Sequence, residues 1–137
     1  MRAELVDRGV GLGAIDPEST PLPDLADAIA EWLDRLENGP GFVVIRGLDL
    51  DGWSEREAGL VYYALGRQMG APVKQNDRGH LLGHVRDTGK DIFTDPSARG
   101  YQVRIGLPFH TDTSTDLLAL LCFRTAREGG DLSLIHI

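Results

Sequence analysis

The stretch DLLALLCF, residues 116–123, limits the fold more than any other part of the chain, because seven consecutive apolar positions follow its single aspartate. No helical or alternating spacing interrupts the run, so it has no polar face, and it reads as a strand buried on both sides. It is far short of the roughly 20 apolar residues of a membrane helix. Two more segments read as strands: GFVVIRG, residues 41–47, a β-branched run closed by glycines, and YQVRIGLPFH, residues 101–110. Cys122 sits inside the apolar run and is the one cysteine of the chain. With no internal disulfide partner, it is expected to behave as a small buried hydrophobe in a reducing cytoplasm.

Ahead of these strands the periodicity changes. Leu25, Ala28, Ile29, Trp32, Leu33 and Leu36 fall three or four residues apart and make one stripe of an amphipathic helix, ended by Asn38 and Gly39. Ser54 and Glu57 carry the S-x-x-E capping box of a second helix, with Leu60, Val61, Ala64 and Leu65 on one face and Gly70 at its end. Trp32 is expected in the core, and Trp53 as a hydrophobic staple beside the box. The stretch before Pro23 is broken by glycine and proline and reads as irregular. Its GVGLG lacks the G-x-G-x-x-G spacing of a dinucleotide loop, and no helix follows directly.

The 137 residues suit one domain. Glycine at 17 positions exceeds the usual share of about 7 %, which favours turns and close backbone approaches over a helical bundle. Fourteen Lys and Arg against 21 Asp and Glu leave a formal charge of −7, so the surface repels phosphate backbones and nucleic acid is not an expected partner. The opening MRAELVDRGV lacks the basic and apolar regions of a signal peptide, and a soluble, cytoplasmic protein without membrane attachment is expected.

Chemistry concentrates between the second helix and the apolar run. Residues 72–100 show no sustained period over a length that, inside a compact domain, belongs to lids and binding loops. Next comes FHTD, residues 109–112. In extended backbone, residues two apart project to one face, so His110 and Asp112 are able to close on one ion with Thr111 turned aside. One imidazole and one carboxylate leave a divalent ion with open positions; a further histidine makes the two-histidine, one-carboxylate triad of non-haem Fe(II) oxygenases. The bland alternative is a strand-end His and Asp bonded to each other or to water.

LPFHTDTSTDLLALLCFRTAREGGD, together with GFVVIRGLDL and LGRQMGAPVKQN, resembles the taurine dioxygenase (TauD/TfdA) family of Fe(II)- and 2-oxoglutarate-dependent oxygenases, over most of residues 41–131. The resemblance implies an α+β, mainly β architecture, an incomplete double-stranded β-helix or jelly roll with the N-terminal helices packed on it. It implies Fe(2+) held by His110 and Asp112, with 2-oxoglutarate as co-substrate and dioxygen as oxidant. Succinate and CO2 are released while a C–H bond of a small-molecule substrate is oxidised, and the protein's share is coordination, orientation and exclusion of water. Residues 73–101 take the place of the lid.

The family's third ligand, a histidine, and the arginine that pairs with 2-oxoglutarate lie well downstream of the H-x-D, so residues 1–131 read as the N-terminal part of such a domain and as an inactive fragment. His136 follows Asp112 too closely to be that histidine. Residues 132–137, LSLIHI, are what a transposase end sequence of sequencing libraries encodes, and they start where the family commonly has Thr or Ser after GGD. They are expected to be adapter-derived; different codons in the nucleotide record reject this.

Other polar residues are weighed by context. Gln75 and Asn76 open the long segment and are candidates to bind substrate or co-substrate, against the alternative of turn residues satisfying their own backbone. Tyr101 and Arg104, on the way into the H-x-D, are candidates of the same kind, against ordinary strand-edge residues. His80 and His84 have the spacing of a helical zinc pair, but Leu81 stands where a zincin has its glutamate and Gly83 weakens a helix, so exposed loop histidines are expected. Asp116 is expected to cap the TSTD turn. The rival readings are a redox-silent Zn or Mn enzyme on a jelly roll and a non-catalytic small-molecule-binding module of the same fold.

Overall fold

The structure is a computed structural model that describes residues 5–6, 9–104 and 115–125. It divides into two compact units, Met1–Leu82 and Gly83–Ile137.

The first unit is built on two helices. α1, Ala26–Glu37, follows a 3-10 turn, Pro23–Leu25, in which Pro23 supplies a fixed φ where no amide partner is needed. Along it the sequence stripe is the inward face: Ile29 is buried, Leu25, Ala28, Trp32, Leu33 and Leu36 are half-buried, and the residues between them are exposed. The Asn38 amide closes the last turn on the Asp34 carbonyl at 2.7 Å, and the Asn38 side chain donates to Asp34 Oδ1 at 2.9 Å. Gly39 then ends the helix for a steric reason, since a Cβ there would lie 2.7 Å from the Arg35 carbonyl oxygen.

α2, Glu55–Met69, opens on a complete capping box. Ser54 Oγ accepts from the Glu57 amide at 3.2 Å, and Glu57 Oε2 accepts from the Ser54 amide at 2.7 Å. Two amide donors that a helix start leaves without partners are thereby satisfied. Glu55 and Glu57 in the first turn and Arg67 in the last complement the helix dipole. The helix buries Ala58, Leu60, Val61, Tyr63 and Ala64, and full burial of one Leu or Val contributes about 1.5–3 kcal/mol.

That face is covered by the N-terminal stretch, helical at Leu5 and Val6 and with a 3-10 turn at Leu12–Ala14. Leu5 and Ile15 join Leu60, Val61, Tyr63 and Ala64 in one buried cluster, with Val10, Leu12, Trp53, Leu81 and Leu82 packed around it. Side chains from α2 fasten the stretch by its main chain: Arg56 donates to the Val10 carbonyl at 3.1 Å, Arg67 to that of Ile15 at 3.2 Å, and Gln68 to that of Thr20 at 2.9 Å. A segment without period of its own is thus held by long polar side chains on the flanks of a periodic one. Trp53 lies against the cluster next to the cap, and α1 packs on α2.

The second unit is a series of turns. The amides of Arg86 and Thr88 donate to the carbonyls of Tyr101 and Gln102 at 3.0 and 2.9 Å, and both acceptors belong to the 3-10 turn Gly100–Gln102. Lys90 reaches Asp95 at 3.3 Å and Ser97 Oγ at 2.8 Å, around Ala98, which is buried.

The expected mainly β architecture, the incomplete jelly roll with helices packed on it, is not what the described residues form: they contain two α-helices and no β-strand. Residues 42–50 have no regular structure, and Phe42, Val44, Ile45 and Leu48 are exposed. Residues 101–102 lie in a 3-10 turn instead of a strand. The apolar run is also exposed, with Leu118 at 63 % and Leu120 at 79 %, and Cys122 is exposed where a buried position was expected. The physical reason is that apolar, β-branched composition suits a strand but does not make one. A strand needs a neighbouring main chain to bond with, and no described segment pairs in that way with 42–50 or 115–125.

Candidate functional site

Gln75 and Asn76 sit in a tight loop of the first unit, six residues past the end of α2. The Gln75 amide donates to the His80 carbonyl at 2.7 Å, and its side-chain Nε2 donates to the Val73 carbonyl at 3.1 Å. Asn76 Oδ1 accepts from the amides of Arg78 and His80 at 3.1 and 3.2 Å, the short Asn side chain standing in for a main-chain acceptor. Its Nδ2 lies 2.9 Å from His80 Nδ1. An amide nitrogen only donates, so Nδ1 accepts and the proton of neutral His80 sits on Nε2. The loop therefore brings Gln75, Asn76 and His80 together and aligns the imidazole. His80 and His84 are both exposed and not on a helix.

Tyr101 and Arg104 belong to the second unit. The Tyr101 carbonyl takes the Arg86 amide at 3.0 Å, and its side chain is partly exposed. Arg104 Nε donates to Asp87 Oδ2 in an ion pair. Asp87 also accepts from the Gly89 amide at 2.8 Å. That amide first, and the Arg104 guanidinium second, hold the Asp87 carboxyl below the ordinary carboxylate range. The pair engages one edge of the guanidinium, which has five N–H donors, while the Arg104 side chain stays 87 % exposed. Asp87 and Gly89 were not singled out in the sequence; Asp87 is 17 positions from its partner, and no local signal connects them.

The two candidate iron ligands, His110 and Asp112, lie outside the described residues, as does His136, which was not expected to be a ligand. Asp116 is exposed at a bend, and the TSTD residues before Thr115 also lie outside the described residues. Among the described residues, no group of three or more His, Cys, Asp or Glu side chains is placed to hold a metal ion. No described helix is long and apolar enough to cross a membrane.

Comparison with known proteins supplies what the described geometry does not. FR-33289 synthase of Streptomyces rubellomurinus (strain ATCC 31215) is 32 % identical over 147 residues, covering 100 % of this chain and 43 % of that protein. Taurine hydroxylase-like protein SAT17 of Stachybotrys chartarum (strain CBS 109288 / IBT 7711) is 28 % identical over 131 residues, covering 90 % of this chain and 34 % of that protein. The chain thus spans less than half the length of these two curated relatives. No solved structure matches it. The family model described as taurine catabolism dioxygenase TauD, TfdA family matches residues 8–135, a range that takes in both helices, the 75–80 loop and the FHTD motif. The chain belongs to the TauD/TfdA family of dioxygenases.

Proposed function

We propose that this chain is the N-terminal part of an Fe(II)- and 2-oxoglutarate-dependent dioxygenase that oxidises a C–H bond of a small molecule, with His110 and Asp112 as two of the iron ligands. The observation that carries this reading is the H-x-D motif lying inside the stretch matched to the dioxygenase family. Its donor chemistry fits ferrous iron: a neutral imidazole nitrogen and a carboxylate oxygen are two of the three donors of the facial triad, and they leave positions for other ligands. When bound, iron supplies the means of coupling dioxygen to the oxidative decarboxylation of 2-oxoglutarate, with succinate and CO2 as products.

The chain's own residues hold and orient. His110 and Asp112 donate from alternate positions of one backbone segment. Gln75 and Asn76, whose side chains order the 75–80 loop, stand with Tyr101 and Arg104 as candidates to contact substrate or co-substrate. The Arg104 guanidinium stands beside Asp87, whose carboxyl is held below the ordinary carboxylate range. The remaining donor of the triad, a histidine, and the arginine for 2-oxoglutarate are assigned to the part of the relatives' length that this chain does not span. The 137-residue chain by itself is then expected to be inactive.

The test is oxygen-dependent release of succinate from 2-oxoglutarate by the longer gene product that contains this stretch, supplied with Fe(II). Activity that is absent from the 137-residue chain and lost on His110→Ala supports the proposal. A redox-silent Zn or Mn enzyme, or a non-catalytic binding module, would release no succinate under any metal.

A further inference from the structure

We propose that, within the 73–80 loop, the residue that contacts the bound small molecule is His80, presenting Nε2–H to an anionic oxygen, and that Asn76 is a positioning residue acting through it. This rests on the dioxygenase reading and deepens it at the same site. The two side chains first considered for contact are already engaged in building the loop. Gln75 Nε2 donates to the Val73 carbonyl at 3.1 Å. Asn76 Oδ1 has two lone pairs, and they take the amides of Arg78 and His80 at 3.1 and 3.2 Å. Asn76 Nδ2 donates to His80 Nδ1 at 2.9 Å. Turning Asn76 toward a ligand would release both main-chain amides and the imidazole together.

His80 is placed the other way round. Its amide donates to Asn76 Oδ1 at 3.2 Å, its carbonyl accepts from the Gln75 amide at 2.7 Å, and its Nδ1 accepts from Asn76 Nδ2. Main chain and ring are thus both held, and little side-chain freedom is left to lose on binding, which is what favours a preorganised contact. With Nδ1 as acceptor, the ring proton lies on Nε2. Among the described residues, the imidazole has no other hydrogen-bond or ion-pair partner. An N–H donor takes an acceptor, and the charges of the loop select its kind. Lys74 and Arg78 are exposed in the same loop against one acid, Asp77, so this stretch is basic in a chain whose formal charge is −7. The acceptor is therefore an anionic oxygen, supplied either by a carboxylate of 2-oxoglutarate or by an oxyanion of the substrate.

The test uses the longer gene product, loaded with Zn(II) in place of iron, and two probes of constant charge around neutrality, 2-oxoglutarate and inorganic sulfate. At least one probe is expected to shift the His80 Nε2 nitrogen resonance and to bind about ten-fold more weakly to His80→Ala, a substitution that keeps the main-chain bonds closing the loop. A response to 2-oxoglutarate identifies the co-substrate as the ligand, and a response to sulfate alone identifies an oxyanion of the substrate. Asn76→Asp then separates positioning from mere support. Its second carboxylate oxygen accepts where Nδ2 donated, so a neutral His80 carries its proton on Nδ1 and presents a bare Nε2. Nε2–H survives only in the imidazolium form. Relative to the parent, the probe affinity of Asn76→Asp is expected to fall about five-fold or more between about pH 6 and about pH 9, across the imidazole range. A His80 resonance that neither probe moves, affinities unchanged by His80→Ala, or an Asn76→Asp profile parallel to the parent's overturns the proposal. Succinate release that needs His110 but comes without these His80 effects rejects this inference alone, whereas the His80 effects without succinate release keep the anion contact and reject the dioxygenase reading.

Discussion

Ser54→Ala is the substitution whose effect the structure defines most closely. It removes the hydroxyl that accepts from the Glu57 amide at 3.2 Å and strips Glu57 Oε2 of a partner at 2.8 Å, while leaving the Ser54 main-chain amide bonded to that same oxygen. Loss of such a cap costs about 0.5–2 kcal/mol in general. These groups are exposed, so water reaches the freed amide, and the expected cost is about 1 kcal/mol, near the middle of that range. One kcal/mol is about a five-fold change in an equilibrium constant. Since α2 carries five of the buried residues, amide exchange at Leu60, Val61 and Tyr63 is expected to speed up about five-fold, with cores and caps lost together. Glu57→Ala alone is expected to cost a similar amount. Because both substitutions break one reciprocal box, their double variant is expected to cost at least 0.5 kcal/mol less than the sum. Additive costs, or exchange rates in α2 unchanged by Ser54→Ala, would refute the assignment of the box as the start of the helix.

Leu60→Ala removes a side chain that is 3 % exposed from the centre of the cluster, with an expected cost of about 2–5 kcal/mol, and urea unfolding followed by circular dichroism checks it. Gly66→Ala acts in the other direction, because a Cβ there meets nothing within 4 Å; a gain of about 0.5–1 kcal/mol is expected from helix propensity, and an unchanged or lowered midpoint would contradict the open site. For Asp87, the folded-state carboxyl is depressed by Gly89 and Arg104, so its contribution is complete above the unfolded value of about 3.9 and is lost as pH falls through the lower folded value. The Arg104 Nε–H resonance is accordingly expected to hold from neutral pH into the carboxylate range and to shift only below it; a shift already complete near neutrality would dispose of the ion pair.

The helices were legible because their signals are local. The stripe from Leu25 to Leu36 became the inward face of α1, and Ser54 with Glu57 became the observed cap. Trp32 shows the limit of such a reading, since the stripe aims it inward but leaves it half-buried. Tyr63 is buried three positions from Leu60 and belonged to the same face; its polar hydroxyl hid it in a reading based on aliphatic residues. Ile15 was missed because glycine and proline erase the period around it, and Leu5 because the stretch before Pro23 was read as irregular; the main chain there is fastened non-locally, by Arg56 at Val10, Arg67 at Ile15 and Gln68 at Thr20. The strands failed for a related reason. GFVVIRG and DLLALLCF advertise a preference for sheet, whereas sheet formation is decided by a partner that no local pattern names. In the candidate site, the aspect of Gln75 and Asn76 that was legible is their turn chemistry, and the Asp87–Arg104 pairing was not legible at all.

The measurement that bears most directly on function is anaerobic equilibrium dialysis of Fe(II) against the longer gene product and its His110→Ala and Asp112→Ala variants. One iron retained per chain by the parent, and lost from each variant while circular dichroism stays unchanged, is the predicted result. Iron retained equally by all three proteins would contradict the assignment of these two residues as ligands.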